Sequence, residues 1–254
     1  MRGHKAFTLV ELLVVIAIIA LLMSILMPAL GRVRKQAKST LCQANLRQWG
    51  YVFSMYTSDH DGCFNPGDGI DNPFEWMEVT ESYYKEEMLR YCPMATKFDG
   101  SLMGGKAMTW EWDPYYGSYG INEFVFNPPM DEIWGHENRL NWRCADIPGV
   151  SNIPLFLDAA WCGGLPTYTD APPEYDDQPW THSFGDNMVR FCLDRHDGHI
   201  NAVFMDFSTI RQIGLKELWS LNWHRQYNFA GPWTIVGGVK PADWPEWMRN
   251  FKDY

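Results

Sequence analysis

Residues 7–30 read FTLVELLVVIAIIALLMSILMPAL, and this stretch decides the architecture. At 1.5 Å rise per residue, a helix of about 24 residues spans roughly 36 Å, enough for a bilayer core. A transmembrane helix is therefore predicted. Arg2, His4 and Lys5 precede it, so the positive-inside rule places Met1 in the cytoplasm. Arg32, Arg34, Lys35 and Lys38 follow it and weigh the other way. Glu11 breaks the apolar pattern as the fifth residue of the run. A carboxylate at membrane depth costs on the order of 2–3 kcal/mol, so it needs either a partner or a place near the headgroups.

The helix is predicted to continue. Within residues 32–57, Val33, Ala37, Leu41, Ala44, Trp49, Val52, Phe53 and Tyr56 recur at mostly three- or four-residue steps, one face of an amphipathic helix. Pro28 would kink the rod rather than end it. Gly50 weakens it by about 1 kcal/mol relative to alanine. From Phe7 to Thr57 the rod would measure roughly 75 Å. Ser58-Asp59-His60-Asp61-Gly62 ends it.

Charge divides the chain at the same place. The first fifty residues hold seven Lys or Arg against Glu11, and the rest holds fourteen basic and thirty acidic residues. The overall net charge of -10 speaks against a protein built to neutralise phosphates. The 46% hydrophobic content excludes a wholly disordered chain. Beyond residue 60, Gly and Pro are frequent and helical periodicity fades. Strands are predicted at Tyr119–Phe126, Ile153–Asp158, Ile200–Phe207 and Ser208–Ile213, and a short helix over Leu215–Tyr227. Segments 62–118 and 127–190 read mostly as ordered loops. The fold class is α+β: a long N-terminal transmembrane helix whose amphipathic half packs on an antiparallel sheet in a loop-rich head.

Lys5-Ala6-Phe7-Thr8-Leu9-Val10-Glu11 resembles the N-terminal signal of type IV prepilins and type II secretion pseudopilins. In that family a prepilin peptidase cuts after a small residue and before a Phe, the new N-terminus is methylated, and the fifth mature residue is Glu. The resemblance implies cleavage between Ala6 and Phe7, methylation of Phe7, and Glu11 as mature residue five. Ala6 stands where the family usually has Gly. Pro28 falls at the mature position where many members carry a helix-kinking proline. The resemblance further implies that Glu11, buried among neighbouring helices in a filament, pairs with the Phe7 amine of an adjacent subunit; a buried charge is far less costly paired than alone. The competing reading is a secretory signal peptide cut after Ala29-Leu30-Gly31, which would make no use of Glu11.

A second resemblance reaches the head. Cys42-Gln-Ala-Asn45-Leu46-Arg-Gln48, Tyr91-Cys92-Pro93 and Ser118-Tyr119-Gly120-Ile121-Asn122 look like a large subgroup of bacterial pilin-like proteins. That subgroup ends in His, nine residues, then Asp-Gly. His196 and Asp206 fit, but Phe207 replaces the glycine, which puts the turn after Asp206 in doubt.

All six cysteines lie beyond the predicted span. An even number in an exported head fits disulfides, with fifteen possible pairings. Cys42 with Cys92 is the favoured pair, since it ties helix to loop; buried free thiols are the alternative. Asp59 and Asp61 are candidate calcium ligands beside Gly62, although no EF-hand pattern is complete. Otherwise no cofactor is expected. Asp194-Arg195-His196-Asp197-Gly198-His199 is the densest polar cluster, yet no nucleophile or oxyanion motif accompanies it. A turn with His196 bonded to Asp206 or to backbone is favoured over catalysis or metal binding, and no enzyme activity is expected. Thirteen Trp, five of them from Trp219 to Trp247, are expected to fill the core and pin the C-terminal tail.

The resulting layout is a leader (1–6), a membrane helix (7–30), its amphipathic continuation (31–57) and an extracytoplasmic head (58–254). The expected function is a structural pilin-like subunit of a type II secretion pseudopilus or type IV pilus-like filament. It would sit in the bacterial inner membrane with its N-terminus cytoplasmic. Its expected partners are the prepilin peptidase, other pilin or pseudopilin subunits and the assembly machinery, with no direct nucleic-acid contact. The alternative is a membrane-anchored binding module for a glycan or a protein that does not polymerise.

Overall fold

The computed structural model describes residues 9–67, 75–98, 104–129, 132–133, 136–179 and 187–254. Helix α1, Leu9–Asp59, runs 51 residues and passes through Pro28 without ending. It has two halves. Residues 9–38 are exposed throughout. From Ser39 the helix docks, burying Ser39, Cys42, Leu46, Trp49, Gly50, Val52, Phe53, Tyr56 and Thr57. From Trp49 onward the buried set includes the predicted Trp49, Val52, Phe53 and Tyr56, but the earlier part of the predicted face is not the docked one. Val33 and Leu41, expected inside, are 60% and 57% exposed, and Ala37 and Ala44 are exposed with them. Polar Ser39 and Cys42 hold the buried positions because the head offers them hydrogen bonds, which periodicity of apolar residues does not register.

The head is built on strands β1 (Trp110–Trp112), β2 (Tyr115–Gly117), β3 (Tyr119–Asn122), β4 (Glu132–Ile133), β5 (His136–Glu137), β6 (Pro154–Asp158), β7 (Gly163–Gly164), β8 (His199–Phe204) and β9 (Ile210–Gly214). β1 and β2 form one hairpin, and β4 and β5 another. The central sheet has the order β7-β3-β6-β8-β9. Its pairs are antiparallel except β3 with β7, which run parallel at one edge. Short helix α2, Glu75–Thr80, packs beside α1.

Two predicted strands end early. The chain leaves β3 at Asn122, whose side-chain oxygen accepts from Phe124 N and starts a 3-10 turn over Glu123–Val125. The predicted helix over Leu215–Tyr227 is a 3-10 turn, Leu215–Ser220, followed by irregular chain and turns. Here Leu215, Lys216, Leu218, Trp219, Leu221 and Trp223 are all buried, so packing on every side overrides the helical period.

α1 meets the sheet through aromatic side chains. The Trp49 ring lies 4.9 Å from Phe156 of β6 and 5.5 Å from Trp76, and its indole N–H donates to Leu89 O at 2.9 Å. Burying one such side chain contributes roughly 1.5–3 kcal/mol. Closest approach falls at Gly50, where a Cβ would stand 2.2 Å from Phe207 O. Glycine is thus required for contact, and its helix penalty is offset by docking. Phe207 takes φ +61, the left-handed conformation that glycine adopts freely. The turn after Asp206 forms all the same, because the Asp206 carboxylate accepts from Ser208 N and from Thr209 N and Oγ1.

Trp219, Trp223 and Trp244 are fully buried, and the Trp244 ring lies 5.4 Å from both Trp219 and Trp233. Buried Lys216 donates to Asp253 at 2.8 Å, holding the last residues against the head. The C-terminal tryptophans therefore pin the tail, as the composition suggested.

Candidate functional site

Two features carry chemistry: the exposed half of α1, and a buried polar cluster where its docked half meets the sheet.

The exposed half begins at Leu9, so Ala6 and Phe7 lie outside the described residues. Glu11 stands on the exposed surface among Leu9, Val10, Leu12 and Leu13. This half of α1 is long and apolar enough to cross a membrane, and none of its most apolar window is covered by the head. Opposite the docked face, Val33, Ala37, Leu41 and Ala44 continue the apolar surface beyond the span.

The buried cluster gathers Cys42 of α1, Cys92, Asp158 at the end of β6, and His196. The four candidate ligand atoms lie within 4.8 Å of one another, and this is the one such grouping of at least three His, Cys, Asp or Glu among the described residues. Asp158 is its hub. Its Oδ1 accepts from Arg195 Nη1 at 3.1 Å, and its Oδ2 accepts from Asn201 N at 2.8 Å. His196 Nε2 lies 3.1 Å from Asp158 Oδ2 and 3.4 Å from Cys92 Sγ. Tyr119 of β3 donates its hydroxyl to Cys42 Sγ at 3.3 Å. Arg195 also donates to Ser118 O, Gly105 O and Ala159 O.

Electrostatics polarise the group. Burial alone would raise Asp158, but His196 and Arg195 hold it well below the usual carboxylate range. Burial would lower His196, and Asp158 instead lifts it to about 10. Burial would raise Cys92; hydrogen bonds from Cys42 and His196, with the Arg195 charge, bring it to about 7. Burial pushes the Cys42 thiol well up. A carboxylate, an imidazole and two thiols of unequal acidity thus share one enclosed space.

Several expectations are corrected here. The disulfide joins Cys63 to Cys144, and Cys42, Cys92, Cys162 and Cys192 are buried free thiols. Cys42 and Cys92 do come together, but with His196 and Asp158 between their roles rather than as a bonded pair. An antiparallel bridge brings Cys63 and Cys144 together instead. His196 does not turn to Asp206; its ring meets Asp158, and its backbone N–H donates to His199 O at 2.9 Å. The His199 ring lies instead against Asp197 O. Asp59 accepts from the Tyr83 hydroxyl at 2.9 Å, and Asp61 takes φ +54 in the turn that ends α1.

Asp158 was not singled out from sequence, and Arg195 was named only as part of the polar cluster around His196. A carboxylate ending an otherwise apolar strand, and an arginine next to His196, were the available signals.

Residues 1–27 match the prokaryotic N-terminal methylation motif. Over 61 residues the chain is 46% identical to a Thermus thermophilus protein described as the type IV wide pilus major component PilA4, an alignment covering 24% of this chain and 47% of that protein. The chain thus spans about half the length of the curated relative it matches. No solved structure matches the chain. These similarities liken the chain to type IV pilins over the matched residues, and its N-terminal helix is long and apolar enough to cross a membrane.

Proposed function

We propose that this chain is a structural subunit of a type IV pilus-like filament or type II secretion pseudopilus, cut between Ala6 and Phe7 and methylated on Phe7. The observation that carries this reading is the division of α1. The head covers the helix from Ser39 onward and leaves residues 9–38 exposed, with Lys35 reaching the head at Asp197. Surface this apolar must be covered by lipid before assembly and by other helices after it. The occupant is a bundle of α1 helices from further subunits, which the stripe of Val33, Ala37, Leu41 and Ala44 would extend beyond the membrane.

Within such a bundle Glu11 is the residue that sets register. In lipid-like surroundings a carboxylate rewards one axial position, the one that brings it to the Phe7 amine of a neighbour, and penalises others. Insertion with the N-terminus in the cytoplasm follows, because the leader must meet the prepilin peptidase there. The acidic head then lies outside the inner membrane.

The test is intact-mass measurement and N-terminal sequencing of the chain recovered from membranes of cells carrying a prepilin peptidase. A chain starting at methylated Phe7 is the expected result. A chain starting at Arg32 would make it a secreted protein. An uncut Met1, with a known prepilin cut in the same cells, would leave an anchored binding module.

A further inference from the structure

We propose that Cys42, Cys92, Asp158 and His196 form a structural zinc site that fastens helix α1 to the head. The four ligands come from four separate segments of the chain: α1, the loop before β1, the end of β6, and the loop before β8. Two thiolates, an imidazole and a carboxylate are the donors zinc takes in closed, four-coordinate sites. The spacing fits as well. With Zn–S of about 2.3 Å and Zn–N and Zn–O of about 2.0–2.1 Å, a tetrahedron has edges of about 3.5 Å for S···N, 3.3 Å for N···O and 3.5 Å for S···O. The corresponding separations are 3.4 Å for Cys92 Sγ to His196 Nε2, 3.1 Å for His196 Nε2 to Asp158 Oδ2, and 3.6 Å for Cys42 Sγ to Asp158 Oδ2.

One hydrogen at the centre of the cluster is shared between two neighbours. His196 Nε2 has a single hydrogen to offer, yet faces both Asp158 Oδ2 and Cys92 Sγ. A cation in the middle satisfies all four lone pairs at once. Charge also balances. Two thiolates, one carboxylate and a neutral imidazole around a dication leave one negative charge, and the buried Arg195 guanidinium against Asp158 Oδ1 neutralises it. The surrounding groups have the character of an outer shell: Tyr119 donates to the Cys42 sulfur, and Asn201 N and Arg195 fix the carboxylate. A cleft of about 480 Å³ between α1 and the head, lined by His196, Arg195, Ser39, Gln43 and Met94, lies beside the cluster.

The experiment uses the full chain in detergent, purified after growth with added zinc. Metal is counted by elemental mass spectrometry and the cysteines are mapped by non-reducing peptide mass spectrometry. About one zinc per chain is expected. Cys92→Ser and His196→Gln should each retain less than about a tenth of it, while Cys162→Ser and Cys192→Ser, outside the cluster, should retain all of it. Replacing zinc by Co2+ should give the visible absorption of a four-coordinate thiolate site. Should the ligand variants fail to fold, Tyr119→Phe keeps every ligand and should weaken zinc affinity about 10- to 100-fold in competition with a chromophoric chelator. A metal-free wild-type chain, whether Cys42 and Cys92 are then joined as a disulfide or free, overturns the proposal. So does full zinc retention by Cys92→Ser.

Discussion

The Arg195 guanidinium lies 3.1 Å from the Asp158 carboxylate, and both side chains are wholly inside the head. The terminal nitrogens of Arg195 also donate to the carbonyls of Ser118, Gly105 and Ala159, so one side chain holds β6 and the loops around it together. Removing one partner of a buried pair strands the other. Arg195→Met is expected to lower unfolding free energy by about 3–5 kcal/mol. Arg195→Lys should recover only part, because an ammonium does not reproduce the planar fork. Chemical denaturation of the full chain in detergent measures both. A loss under about 1 kcal/mol for the methionine variant would show that the pair contributes little.

Gly50 and Gly31 both lie in α1, but only Gly50 faces the head. A Cβ at Gly50 would meet Phe207 O at 2.2 Å, whereas Gly31 has nothing within 4 Å. Gly50→Ala should therefore destabilise the docked helix by about 1–3 kcal/mol despite its better helix propensity. Gly31→Ala should be neutral or stabilising by up to about 1 kcal/mol. Thermal melts of the two variants side by side give the comparison. Equal effects would mean that Gly50 is not the docking contact.

Glu123 makes stability depend on pH. Its fully buried carboxyl is pushed up to about 7 by burial, against the opposing charge of Arg190. The folded state therefore holds a proton that the unfolded chain releases near its ordinary value of 4.5. Below that value both states are protonated and the group contributes no penalty. As pH rises towards 7 the folded state loses stability, by on the order of 3 kcal/mol at most. Glu123→Gln should match wild type at about pH 4 and exceed it at about pH 8. A stability difference that does not change with pH would remove Glu123 as its source.

Glu11→Ala tests assembly apart from folding. The variant should still be cut before Phe7 and should keep the head intact, since Glu11 lies on the exposed half of α1. Filament or pseudopilus recovered by shearing should fall at least about tenfold, the scale of a lost buried charge pair. Wild-type recovery would end the register role of Glu11.

The long helix was legible because a run of apolar residues has few other uses. Strands β6, β8 and β9 were legible for a similar reason, being compact apolar stretches bounded by turn residues. Lost were features that depend on who meets whom across the fold. The burial of Ser39 and Cys42 in place of Val33, Ala37, Leu41 and Ala44 follows from their partners Asn201 and Tyr119, which lie far along the chain. Cys63 with Cys144 was one of fifteen possible pairings, with nothing local to select it. His196 was picked out, but Asp158 rather than Asp206 is its partner, because β6 and β8 are neighbours in the sheet.

The Cys63–Cys144 bond has a mechanical consequence. It closes a loop of chain four residues beyond the end of α1. Tension drawn along the helix into the later half of the head runs across this link and bypasses residues 64–143. Everything in that loop, including Cys92, Trp76 and β3, is shielded from being peeled out in sequence. A subunit hauled by its N-terminal rod would yield first where that rod slides against β8 and β9, and would keep the early head as an unstretched knot on the line.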